Sequence, residues 1–139
     1  MLPQGDVLSY TARMTQDDVV SHWRKGANDS LEMAVLGQKA GKYALALFHC
    51  QLCVEKALKA LYIREYDTMP PKTHDLLQLA KKITLRLDEK QRGLLDELTD
   101  FVTLARYCDA DWEGTTATEE AAKHWIGVAE SFLSLLTEL

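Results

Sequence analysis

Residues 49–62 read HCQLCVEKALKALY, and the fold turns on whether Cys-Gln-Leu-Cys is a chemical site or part of a helix face. At about 100° per residue, Ala46, Cys50, Cys53, Ala57 and Ala60 fall on one narrow stripe, and every member is small. Free cysteine packs as a small hydrophobe, so this stripe is a seam where a neighbouring helix comes close. Leu47, Val54, Leu58 and Leu61 run beside it as the bulky part of the same core face. The rival readings need more than the chain offers. A structural zinc site takes four ligands, commonly from two paired motifs. Here only Cys108 remains, with His49 as the nearest imidazole, although His49 and Cys53 do share a face. A redox Cys-x-x-Cys places its first cysteine at a helix N-terminus after a strand, and this one is mid-helix. The stretch reads as buried helix, and no metal site is assigned.

Working outward, the punctuation is sparse and everything between it has helical period. The only prolines are Pro3, Pro70 and Pro71. A first helix is expected from about Asp17 to Ala40, with Val20, Trp23, Ala27, Leu31 and Ala34 on its apolar stripe and Gly41 as its stop. The second follows at once, about Lys42 to Tyr66, and so short a joint makes the two antiparallel neighbours. Pro70-Pro71 forces a loop. A third helix is expected from near His74, capped by Thr73, with Leu76, Leu79, Ala80, Ile83 and Leu87 on its stripe. A fourth runs from Glu89 to Tyr107 behind an Asp88 cap, with Leu94, Leu98, Phe101, Val102 and Ala105 facing the core. Cys108 to Ala117 reads as a loop. Thr116 with Glu119 fits a capping box for a fifth helix that buries Ala122, Trp125, Ala129, Phe132 and Leu136. No segment alternates with period two. The expected fold is all-α: an antiparallel four-helix bundle with a shorter additional helix. Residues 1–16 lack helical period and read as a flexible arm, leaving 17–139 as a single domain.

Bulk composition agrees. The chain has 139 residues, 47% hydrophobic and 27% charged, which is globular rather than disordered. Its net charge of −5 argues against a domain that grips duplex nucleic acid by counterion release. Three cysteines form no complete disulfide set. The N-terminus has no apolar signal region, and no apolar run approaches a membrane span. A cytoplasmic protein with no membrane partner is expected.

The second helix has another side. Phe48, Leu52, Glu55, Lys59 and Ile63 lie roughly opposite the small seam. Glu55 and Lys59 form an i,i+4 pair in the favourable order. One reading is a solvated salt bridge. The other starts from the apolar neighbours: a helix apolar on both sides is central or at an interface, and these five residues are then the expected interface of a homodimer or a partner complex.

Four motifs in order resemble those of the HEPN domain, the higher eukaryote and prokaryote nucleotide-binding family. They are Gly41-x-Tyr43-x-x-Ala46, Glu55 to Ala60 (EKALKA), Thr73 to Leu76 (THDL) and Ala105 to Tyr107 (ARY). The resemblance covers about residues 17–137. It implies a helical bundle, usually dimeric, which in many members binds a minimal nucleotidyltransferase. Some members are metal-independent ribonucleases, toxins among them. Those carry an Arg and a His with four to six residues between them, with two such motifs meeting at the dimer interface. In such an enzyme the His moves protons while the Arg stabilises developing charge.

Arg106 matches that arginine, but Asp111, Trp112 and Glu113 stand where the histidine belongs. Arginine cannot shuttle a proton near neutral pH. The resemblance is therefore to a branch without an intact ribonuclease motif. What it implies is a non-catalytic module that binds a nucleotide and pairs with a nucleotidyltransferase, as in a toxin–antitoxin system. No cofactor is assigned beyond that possible nucleotide ligand. The alternative is a ribonuclease toxin with a displaced acid/base group, with Arg106 and His74 as its catalytic pair. A third option is a dimerisation domain that binds and cleaves nothing.

The ligand-site candidates are Arg106, Tyr107, His74, Lys59 and Trp112. Each has a structural reading beside the functional one. Arg106 ends a helix, where a cation complements the dipole, or it contacts a phosphate of a nucleotide or RNA. Tyr107 is a half-buried anchor or a base-stacking platform. His74 tethers a loop at a helix start or acts chemically. Lys59 is solvated or meets phosphate. Trp112 covers the end of the bundle or stacks a ligand.

Overall fold

The computed structural model of the chain describes residues 14–139, and every regular element among them is an α-helix. In chain order these are α1 (Gln16–Lys39), α2 (Tyr43–Tyr66), α3 (Leu76–Lys82), α4 (Glu89–Thr99), α5 (Phe101–Arg106), α6 (Ala110–Thr115) and α7 (Glu119–Thr137). The fold is an all-α bundle built round α2, against which α1, α3, α5 and α7 all pack.

The small seam explains that centrality. Ala46, Cys50, Cys53, Ala57 and Ala60 are all buried, and Leu47, Val54, Leu58 and Leu61 join them in the core. Phe101, Trp125 and Phe132 come in from α5 and α7, with the Phe101 and Trp125 rings edge to face at 5.0 Å. The turn between α1 and α2 needs glycine: Gly41 has φ of 73°, a conformation other residues adopt only at a cost.

Several element ends differ from expectation, each for a local reason. The folded part starts before Asp17. Thr15 caps α1 through a reciprocal box with Asp18, and Gln16 Nε2 donates to the Ile63 carbonyl at 2.9 Å. Residues 14–16 therefore belong to the bundle, while residues 1–13 lie outside the described part. The third helix is short. Asp75, not Thr73, is its cap, and it ends at Ile83 because Thr84 turns left-handed at φ 51°. Ile83 and Leu87 pack on the core from beyond the helix. The expected fourth helix is divided at Asp100 into α4 and α5. The expected loop at Cys108–Ala117 contains α6, capped by Asp109. The cap of α7 is Thr118, whose hydroxyl accepts from the Ala121 N–H at 3.1 Å, rather than Thr116.

Candidate functional site

Glu55 sits midway along α2, facing away from the cysteine seam, and is buried. Its carboxylate is saturated from three directions. Lys59 Nζ, one turn on, donates to Oε2 at 3.0 Å. Gln51 Nε2, one turn back, donates to Oε1 at 3.0 Å. His74 Nδ1, from the loop before α3, meets Oε1 at 2.9 Å. Gln51 Nε2 also donates to the His74 carbonyl at 3.0 Å, so side chain and backbone of the same loop residue are both held. Burial alone would raise the Glu55 pKa, but the hydrogen bonds from Gln51, His74 and Lys59, with the Lys59 charge, outweigh it and hold the carboxyl below its ordinary value.

This cluster corrects the expected interface. Glu55, Lys59 and Ile63 are buried within the single chain. Ile63 packs with Val19, Val20 and Ala60, and Met14, Trp23 and Met69 close over that cluster. Only Phe48 and Leu52 of the five retain part of their surface. Lys59 is likewise committed to Glu55 and has no free face for phosphate.

His74 is the other way round. Its side chain is 49% exposed while Nδ1 points inward to the carboxylate. An ionised carboxylate only accepts, so the Nδ1 proton lies in that bond and Nε2 is the nitrogen left outward. The loop carrying His74 is pinned by Thr73 Oγ1 accepting from the Asp75 N–H and by the Leu76 N–H donating to Thr99 Oγ1.

Arg106 ends α5 and is exposed. With Leu45, Phe48 and Ala105 it lines a small open cavity of about 140 Å³. Tyr107 is not half-buried but 75% exposed, and Leu45 beside the cavity is 51% exposed. Trp112 is 8% exposed and packs against Phe101 at 5.6 Å, so it closes the end of the bundle and offers no stacking face. Asp111 and Glu113, its neighbours on α6, are exposed. Phe48 and Gln51, the α2 residues next to Arg106 and His74, are three positions apart, so both candidates border the same stretch of α2.

The cysteines behave as core. Burial pushes the Cys53 thiol up to about 12 and raises Cys50 further. Among the described residues no three His, Cys, Asp or Glu side chains stand close enough to hold a metal ion, and no helix is long and apolar enough to cross a membrane. The residue that sequence reasoning missed is Gln51. Its signal was position alone, one turn before Glu55 on a face that periodicity marks as apolar.

Solved structures share the overall fold. TT1696 from Thermus thermophilus is 25% identical, with a TM-score of 0.74 over 86% of this chain and 96% of that one. ST0689, described as an archaeal HEPN homologue, is 28% identical, with a TM-score of 0.67 over 86% of this chain and 95% of that one. No curated protein matches the chain. The HEPN domain profile matches residues 20–139, and on that match over most of its length the chain belongs to the HEPN domain family.

Proposed function

We propose that this HEPN protein is a non-catalytic binding module that associates with a nucleotide and with a minimal nucleotidyltransferase. The observation that supports it most is α6. Where a ribonuclease of this family would need its histidine, the helix carries Asp111 and Glu113 on the outside and a buried indole at Trp112. Neither exposed carboxylate replaces an imidazole poised near neutral pH. Arg106 is then an anion contact rather than half of a catalytic pair. A second copy of the chain is the proposed neighbour of the face formed by Leu45, Phe48, Ala105 and Arg106, where two arginines would meet.

The second reading has its own observation. A histidine whose Nδ1 is fixed by a buried carboxylate, with Nε2 outward, is how general bases are oriented, and Glu55 holds His74 in that way. One assay separates the two. Purified protein, free of metal, is incubated with RNA beside Arg106→Ala and His74→Ala. No cleavage by any of the three, together with saturable nucleotide binding weakened by Arg106→Ala, supports the module. Cleavage by wild type that is lost in both variants overturns it in favour of the ribonuclease.

A further inference from the structure

A sizeable cavity lies apart from the candidates above, with neither Arg106 nor His74 in its lining. It is an open groove of about 570 Å³ between α4 and α7, within the usual range for small-molecule sites. Its apolar lining is Leu94 from α4 and Val128, Phe132 and Leu135 from α7. Its charged lining is of one sign. Lys90 stands on the α4 wall and Lys123 on the α7 wall with the His124 imidazole beside it, and no carboxylate lines it. In a chain of net charge −5 that is a local reversal. Among the described residues, the only ion-pair partner of these two lysines is Glu119, one turn before Lys123 and 3.7 Å from it on the exposed surface.

A second observation concerns Gly127, which lies in the groove wall in mid-helix. Glycine there costs roughly 1 kcal/mol relative to alanine. The usual internal reason is missing, because a Cβ at Gly127 would meet nothing within 4 Å. The missing side chain leaves the backbone of α7 open to an occupant from outside the chain.

We propose that this groove binds an amphipathic organic anion, a small molecule with an acid group and an aliphatic or aryl body. The acid group sits against Lys123 and His124, and the body lies over Gly127 along Val128, Phe132 and Leu135, with Leu94 opposite. Lys90 supplies a second cation from the facing wall. The site is separate from the Arg106 region, so it stands or falls independently of the function proposed above.

The test is calorimetric titration of the full chain with decanoate and with decyl phosphate, below their micelle concentrations, beside decyltrimethylammonium as the oppositely charged probe. The two anions separate carboxylate from phosphate preference. Saturable binding of at least one anion near one per chain, and none of the cation, is expected. Lys123→Glu removes a charge-assisted contact and lowers that affinity roughly tenfold. Gly127→Leu fills the groove and abolishes binding, with a thermal midpoint no lower than wild type because leucine is the better helix former. A charge-matched change elsewhere, Lys39→Glu, leaves binding unchanged. No saturable binding of either anion overturns the proposal, as does equal binding of the cation, or binding within twofold of wild type in both Lys123→Glu and Gly127→Leu.

Discussion

At the scale of single residues, Glu55 shows how one buried charge organises a loop. Its carboxylate has a cation one turn away on its own helix, an amide one turn the other way, and an imidazole nineteen positions on. Replacing one member of a buried pair leaves the other uncompensated, which typically costs about 3–5 kcal/mol. Glu55→Gln is therefore expected to lower the unfolding free energy measured by urea titration by an amount in that range while Lys59 stays buried. Acid should act on the same group. Its folded pKa lies below the unfolded value of about 4.3, so the unfolded chain binds the extra proton. The stabilisation is complete above that unfolded value and is lost as pH falls through the folded one. Urea midpoints measured from pH 7 to pH 3 should fall more steeply in wild type than in Glu55→Gln. The Glu55–Lys59 pair was legible in the sequence as a spacing. Its burial was not, because the groups that cover this side of α2 come from far along the chain: the His74 loop, and Gln16, Val19 and Val20 at the start of α1. Periodicity registers which face is apolar and is blind to what will cover it.

Among the elements, long helices were readable and their ends were not. Over α1, α2 and α7 the apolar stripe repeats for several turns, and the cysteine stripe was read correctly as core because every member is small. Over Ile83 and Leu87 the same repeat continues, yet the helix has ended. Those side chains reach the core from a left-handed turn and the segment after it, and a pattern of apolar positions does not distinguish the two routes. The cap of α7 is a similar case. Thr116 and Thr118 both precede the apolar run, and the capping-box spacing favours the wrong one. A threonine cap is worth about 1 kcal/mol, so Thr118→Ala should lower stability by about that much while Thr116→Ala has little effect, checked by paired thermal melts. Sequence reading missed α6 because it is a single turn and a half held mainly by the Asp109 cap and by Trp112 on Phe101.

For the whole molecule, the exposed apolar residues next to Arg106 bear on assembly. Leu45 lies open beside half-buried Phe48 in the cavity that Arg106 lines, and Tyr107, next in sequence to Arg106, is also exposed. Light scattering should give wild type a mass twice the 15.7 kDa of one chain, and Leu45→Glu should return it to one with its helical content unchanged. A monomeric wild type would remove the proposed meeting of two arginines. The placing of α2 at the centre also has a consequence for synthesis on the ribosome. Its thiols are shielded in part by α7, which is made well after α2. Until α7 docks, the Cys50–Cys53 face of the nascent chain has lost part of its cover. Those two sulfurs are then nearer to ordinary thiols in water, open to oxidants that the finished protein excludes. The vulnerable interval of these cysteines runs from the emergence of α2 until α7 has been translated and docked, and the emerging chain, rather than the folded protein, is where a reducing environment matters most.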